Sequence, residues 1–259
     1  MMRLTILGAS PACQNPGGAC SGYLVEQDDT AVLVDCGSGV FSRLQQYVKP
    51  ENVRAIVLSH MHADHSLDLM QYRYYMFFSR ARRPDVPHPA LYFPPEGHEK
   101  MLGVSKLQDA SVTFFSEFFD TQEYDPRRRL EIGPLSVEFV QVPHITHSYG
   151  MRIHGDGLLA FSGDTGPSDA LVDLARDSDI FLCECSNTAR SDYAFHLTPH
   201  HAGVVAEKAG VKQLVLTHRW AVDGHETALV EAGQSYHGPI VIAREDAQIA
   251  IGVSPAAAP

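Results

Sequence analysis

Long apolar runs are missing from this chain of 259 residues. No stretch approaches the ~20 consecutive apolar residues that a membrane helix needs, so no membrane span is expected. Residues 1–9 hold one arginine and a short apolar run before Ser10-Pro11. A proper signal-peptide core is wanting there, and the stretch reads as a first strand. Cysteine is scarce as well. Cys13, Cys20, Cys36, Cys183 and Cys185 are odd in number and follow no disulfide or zinc-ribbon spacing. That excludes a disulfide scaffold and points to a reduced, cytoplasmic protein. Basic charge is in deficit, with a formal net charge of −11. A large nucleic-acid partner would demand a basic field, so no stable nucleic-acid complex is expected. Arginines gather at Arg80, Arg82 and Arg83 and again at Arg127–Arg129, but each group lies near Asp or Glu and reads as a solvated loop. The hydrophobic share of 44 % is ordinary for a globular protein. No linker divides the chain. One domain over 1–253 is expected, with the small-residue segment 254–259 as a flexible tail.

What the chain does have is histidine, concentrated in His60-Met61-His62-Ala63-Asp64-His65. The cluster follows the apolar, β-branched run 53–58, which reads as a buried strand. Helical periodicity begins soon after, so the cluster sits on a strand-to-helix loop, where loops carry chemistry on a rigid frame. Histidines two apart on an extended segment turn the same way, so His60 and His62 suit one ion. Asp64 and His65, where the loop curls into the helix, suit a second. Imidazole and carboxylate without thiolate fit zinc, manganese or iron rather than a Cys-rich structural site.

The remaining pattern is of strands and helices in two halves of similar size. Strands are expected over 3–8, 22–27, 31–35, 91–93, 130–132, 135–142, 149–153, 158–161, 179–185, 211–217, 240–243 and 248–251. Helices are expected from Gly39 to Val48 and over 66–80, 96–104, 109–118, 168–176, 198–209 and 227–235. The helix over 66–80 carries Tyr72, Tyr74, Tyr75, Phe77 and Phe78. Such a run is core and interface, or else a face that stacks a flat ring over the site. It is also a candidate homodimer face. Cys183 and Cys185 share one side of their strand with Glu184 on the other, and they read as small buried thiols.

The His-x-His-x-Asp-His run is the signature of the metallo-β-lactamase fold, and the chain resembles that superfamily from end to end. The resemblance implies an α/β protein, a four-layer αββα sandwich of two mixed sheets with helices outside. It also implies the rest of a dinuclear ligand set. In Pro143-His144-Ile145-Thr146-His147-Ser148-Tyr149-Gly150, His144 stands six residues before the glycine and is the third ligand of the first metal, with His147 as rival. Asp164 in Ser162-Gly163-Asp164-Thr165-Gly166 is the bridging carboxylate. His218 in Leu216-Thr217-His218 completes the second metal with Asp64 and His65. Asp35, in a strand-end Asp-Cys-Gly, braces the His loop from behind, or is a turn aspartate. Two divalent ions are thereby expected, zinc first, with manganese or iron as alternatives.

Within the superfamily the chain is similar to the ribonuclease Z-like branch. There a histidine before a helix donates a proton and a glutamate on the preceding strand holds it. His196 and Glu184 match those places, and with Asp64 they form the expected catalytic set. True ribonuclease Z also has a Gly/Pro-rich tRNA-gripping arm, but here 151–158 pass straight to the next strand. The chain also resembles, in stretches including Ser21-Gly22-Tyr23-Leu24 and Phe181-Leu182-Cys183-Glu184, a group of ribonuclease Z-like bacterial proteins described as atypical class II cyclic-nucleotide phosphodiesterases. That resemblance implies hydrolysis of a small phosphodiester, 3′,5′-cyclic AMP to 5′-AMP. The rival readings are an ester, thioester or lactone hydrolase, a nuclease on RNA ends, and a non-catalytic metal-binding protein. His200 and His201, beyond the matching His196, are expected on a helix surface. His88, His98, His154, His225 and His237 stay unassigned.

Overall fold

The structure, a computed structural model, describes residues 1–106, 111–188 and 194–252. Among these residues fourteen strands form two seven-stranded sheets. The first contains β1 (Met2–Gly8), β2 (Gly22–Gln27), β3 (Thr30–Val34), β4 (Ala55–Val57), β5 (Ala90–Phe93), β6 (Asp120–Glu123) and the last strand, β14 (Gln248–Ile251). The second runs from β7 (Leu130–Ile132), β8 (Leu135–Val142) and β9 (Ser148–His154) through β10 (Leu158–Phe161), β11 (Ile180–Glu184) and β12 (Leu214–Thr217) to β13 (Ile240–Ile242). Each sheet is mixed in the same way. Three antiparallel pairings, β14-β1-β2-β3, give way to three parallel ones, β3-β4-β5-β6. The second sheet repeats this as β7-β8-β9-β10 and then β10-β11-β12-β13.

Strand alternation builds the layers. Val25, Val32, Val34 and Val57 of the first sheet meet Val137, Met151, Phe161, Leu182 and Val215 of the second in a dry seam. The opposite faces take Leu24, Leu33 and Ile56 on one side, covered by α1 (Val40–Leu44) and α3 (Leu69–Arg82). On the other side Phe181, Leu214 and Leu216 are covered by α5 (Ala170–Ala175), α6 (Pro199–Ala209) and α7 (His225–Gly233). The result is the expected αββα sandwich. Burying near-continuous apolar strands on both faces stabilises it, at ~25 cal/mol per Å² of apolar surface removed from water.

Several local expectations are corrected. The helix expected over 66–80 is α3, which begins only at Leu69; a separate turn, α2 (Ala63–Ser66), precedes it and α4 (Gly97–Ser105) follows. Between α2 and α3 the backbone bonds elsewhere: the Cys36 N–H donates to His65 O at 2.7 Å and the Asp68 N–H to Cys36 O at 3.0 Å. The Asp68 carboxylate turns back to accept the N–H groups of Gly39 and Phe41 at 2.8 and 2.9 Å, capping α1. The helix expected over 109–118 begins outside the described residues, and 111–118 form turns closed by bonds such as Phe114 N–H to Ser111 O at 3.1 Å. Val112, Thr113 and two phenylalanines are poor helix formers, and turns let Phe114, Phe115 and Phe119 all reach the core. The helix expected through Val48 stops at Leu44. Strand β6, Asp-Thr-Gln-Glu, was not expected; it is a polar edge strand of the kind that discourages further pairing. The aromatic run on α3 packs on Phe114, Phe118 and Phe119. The tail 254–259 lies outside the described residues. Among the described residues no helix is long and apolar enough to cross a membrane.

Candidate metal centre

Strand ends deliver the site. The loop after β4 carries His60 to His65, His144 follows β8, Asp164 follows β10, Glu184 closes β11, and His218 follows β12. Asp35 and His218 sit at φ 58° and 50°, a left-handed backbone that costs non-glycine residues about 1–3 kcal/mol and that gathers at functional sites. Cross-ties between sheets hold the two rims in register. Tyr23 Oη meets Thr217 Oγ1 at 2.8 Å, and the Tyr149 N–H donates to Ser59 O at 3.1 Å.

Two groups of ligand atoms result, sharing Asp164. His60, His62, His144 and Asp164 form one, and Asp64, His65, Asp164 and His218 the other, with the atoms of each within 4.8 Å of one another. Within the first group His62 Nδ1 is 3.1 Å from His60 Nε2 and 3.2 Å from His144 Nε2. Within the second, His65 Nε2 is 3.2 Å from Asp164 Oδ1, and His218 Nε2 is 3.2 Å from Asp64 Oδ2. Asp164 also reaches His60 Nε2 at 3.8 Å and His218 Nε2 at 3.4 Å.

The hydrogen bonds behind these atoms show that a cation fits. Asp35 accepts from the Ser59 N–H at 2.7 Å and from Ser59 Oγ at 2.8 Å. Its Oδ2 also accepts the His65 Nδ1–H at 2.7 Å. With that nitrogen bonded to Asp35, it is the other ring nitrogen of His65 that points into the centre and would offer its lone pair to a cation. His60 Nδ1 is held by Ser59 Oγ at 3.0 Å, and His144 Nδ1 by the Phe195 carbonyl at 3.1 Å. So the inward ring nitrogens and carboxylate oxygens converge on one another. His65 Nε2 and Asp164 Oδ1 are buried 3.2 Å apart and face no other hydrogen-bond partner among the described residues. Buried acceptors facing one another need positive charge between them.

The titration behaviour agrees. Burial, then repulsion from His65, holds His60 well below its ordinary value. Burial lowers His62 and brings His144 to about 4. His65 is the exception: burial pulls it down, but Asp164, Asp35 and Asp64 hold it well above the ordinary value. Burial opposes ionisation of Asp64 and Asp164, yet the neighbouring histidines keep both below the usual carboxylate range. Three carboxylates thus retain a proton on His65 unless another cation replaces it.

Glu184 and His196 stand at the edge of the second group. His196 Nδ1 lies 2.8 Å from Glu184 Oε1, and these two with His218 form a third close set. The Glu184 carboxylate also accepts the N–H groups of Thr165 at 3.0 Å and Ser186 at 3.1 Å. Burial lowers the His196 pKa, and Glu184 outweighs it, leaving the imidazole above its ordinary value.

Every residue named for the site from sequence is therefore brought together, and Asp35 lies behind His65 as a brace. His147 is not among the clustered nitrogens; it faces Glu96 at 3.8 Å. His200 faces Ser235 Oγ at 3.2 Å, and His201 caps α6 through Thr198. Cys183 and Cys185 are buried thiols with raised pKa values. Sequence reasoning missed Ser59, a ligand-orienting hydroxyl adjoining the cluster, and the Phe195 carbonyl, which no residue identity advertises. Asp35→Asn is expected to weaken metal binding about 10–100-fold, because the His65 ring loses the partner that fixes it. Competition with a chelating dye measures this.

A family model described as Anti-Pycsar protein Apyc1 matches residues 2–204 of the chain. The chain belongs to the Apyc1 family. This member is 36% identical over 246 residues to the uncharacterized protein Rv1339 of Mycobacterium tuberculosis, covering 92% of the chain and 88% of that protein. It is 29% identical over 246 residues to the probable metallo-hydrolase YhfI of Bacillus subtilis, covering 94% and 97%. The YhfI crystal structure, described as a metallo-β-lactamase fold protein, matches with a TM-score of 0.88 at 26% identity over 96% and 98% of the two chains. Human tRNase Z, short form, shares the fold with a TM-score of 0.74 at 18% identity over 97% and 100%. The Apyc1-family chain thus has the metallo-β-lactamase fold that its His-rich loop implies. His218 lies beyond the residues that the family model covers, and its place in the centre rests on the geometry.

Proposed function

We propose that this Apyc1-family protein is a metal-dependent hydrolase of a small phosphodiester, converting 3′,5′-cyclic AMP to 5′-AMP. The single observation that carries the reading is the His196–Glu184 pair at 2.8 Å beside the ligand clusters. A ribose alkoxide is a poor leaving group without a proton, whereas carbonyl esters need less help there. General acid assistance is worth roughly 10²–10⁴ in rate.

Two divalent ions, zinc first among zinc, manganese and iron, would be held by His60, His62 and His144 and by Asp64, His65 and His218, with Asp164 shared. When bound, such ions lower the pKa of a water and neutralise phosphate charge. The chain's own part is positional and protonic. Asp35, Ser59 and the Phe195 carbonyl orient the rings. His196, charged through Glu184, delivers the proton to O3′ as the P–O3′ bond breaks, while the phosphorus gains the hydroxyl of water. Substrate size is limited by what is missing around the site. β9 and β10 are joined by residues 155–157 alone, which leaves no arm to grip a tRNA, and the net charge of −11 disfavours long polyanions.

The test is chromatographic turnover of 3′,5′-cyclic AMP by the purified, metal-loaded protein, with Asp64→Ala as control. The expected result is 5′-AMP from the wild type only. Folded, metal-holding protein that yields no 5′-AMP would overturn the substrate and redirect the search to carbonyl esters.

A further inference from the structure

Arg219 adjoins the metal centre in sequence but faces away from it. His218 turns its Nε2 toward Asp64 and Asp164. The next side chain lines a separate cavity of about 520 Å³. Arg219 is only 5% exposed, and among the described residues its guanidinium has no carboxylate partner. Nη1 donates to His225 Nδ1 at 3.0 Å and Nη2 to the Gly224 carbonyl at 2.9 Å, both neutral acceptors. Nε is buried with no nitrogen or oxygen partner among the described residues, and the guanidinium also faces the Cys185 thiol. A guanidinium carries five N–H donors, so donors remain for a ligand. Nearby Cys185 is no counter-ion, because burial pushes its thiol up to about 12. A buried cation without a counter-ion is costly to keep, which makes the cavity beside it informative.

That cavity gathers further positive potential. Arg244 lines it with Arg219, His225, Asn15, Gly18 and Glu245. Desolvation and then the charges of Arg219 and Arg244 lower the His225 pKa, so both guanidiniums act on one ring. The neutral ring is free to accept from Arg219. His225 also opens α7, a helix of nine residues whose first N–H groups carry the positive end of its dipole. The lone acid of the wall, Glu245, is engaged with the loop, where Oε1 accepts the Ala19 N–H at 3.2 Å. A second cavity of about 370 Å³ on the other side of Arg219 is lined by Asp223 and Glu231, neither of which pairs with it.

We propose that the larger cavity is an anion site that takes a phosphoryl group, held by Arg219, Arg244 and the start of α7. Two guanidiniums and a helix N-terminus match a dianionic, tetrahedral oxyanion better than a single carboxylate. The volume falls in the range of small-molecule sites, so the phosphoryl group is either free phosphate or part of a phosphorylated metabolite.

Calorimetric titration of the metal-loaded protein with inorganic phosphate, and in parallel with ribose 5-phosphate, tests this. Two classes of site are expected for phosphate in the wild type. Asp64→Ala should remove the class at the metal centre and leave the other. Arg244→Gln should weaken the remaining class by about tenfold or more, and Arg219→Gln should abolish it. Should Arg219→Gln fail to fold by circular dichroism, the exposed Arg244 decides alone. Tighter binding of ribose 5-phosphate would assign a phosphorylated metabolite, and equal or weaker binding would assign free phosphate; both sustain the site. Asp64→Ala protein that binds no phosphate, or a remaining class unchanged in Arg244→Gln, overturns the proposal. Neither result bears on cyclic AMP hydrolysis.

Discussion

Asp164→Ala is expected to lower turnover by about 10³-fold or more and to strip metal from the protein. One carboxylate serves both ligand groups: Oδ1 faces His65 at 3.2 Å, while Oδ2 faces His218 at 3.4 Å and His60 at 3.8 Å. No other residue belongs to both groups. Its removal takes a ligand from each ion and a negative charge from between two cations, and several kcal/mol of transition-state stabilisation go with it. The loss is chemical and not one of folding, because Asp164 is surrounded by imidazoles rather than by core hydrocarbons. Elemental analysis of bound metal together with turnover is the measurement. Wild-type metal content in Asp164→Ala would refute the shared-ligand role. Asp164→Asn should be nearly as damaging, since the amide preserves shape but not charge.

His196→Ala should be the second severe lesion, with a signature that separates it from any ligand change. Turnover of cyclic AMP should fall by roughly 10²–10⁴, while an ester with a nitrophenol leaving group should lose far less. The reason is that nitrophenolate departs without a proton and the ribose oxygen does not. Equal losses on both substrates would sink the acid role. The pH profile provides a second reading. Glu184 holds the His196 pKa above its ordinary value despite burial. The acid form therefore persists to higher pH than in an ordinary imidazole, and turnover should fall as pH rises through that raised value. Glu184→Gln should shift this alkaline limb toward lower pH, whereas a purely structural role for Glu184 would leave it in place. Metal content should stay at the wild-type level in both variants, because neither side chain belongs to the two ligand groups that share Asp164.

Legibility from sequence followed the distance between partners along the chain. The loop from His60 to His65 could be read from residues alone, because its ligands are contiguous and a strand-to-helix loop has few conformations. His144, Asp164 and His218 lie far apart in sequence. Only the superfamily resemblance joined them, and only the packing of two sheets brings their atoms within 4.8 Å. Composition treats His147, His200 and His201 like the ligands, but local geometry turns them elsewhere. His201 is consumed in capping α6, and His200 bonds Ser235 across to α7. The helix expected over 66–80 begins only at Leu69 because the backbone of His65 and Asp68 bonds to Cys36, a demand that periodicity does not record. Of the arginine clusters read as solvated loops, Arg127 and Arg129 do pair at the surface with Asp125 and Glu138, whereas Arg80 and Arg82 belong to α3 and Arg83 pairs with the buried Glu51.

By itself the sequence determined the sandwich and the chemical kind of the site, since alternating apolar strands specify buried sheets and imidazole with carboxylate specifies a metal's taste. Tertiary structure decided the rest. Which nitrogen of each ring points inward depends on Asp35, Ser59 and a backbone carbonyl from residue 195, partners chosen by folding. That Arg219 is a buried cation with no carboxylate partner among the described residues also emerges only in three dimensions, because solvation and pairing are properties of neighbours in space and not of neighbours in the chain.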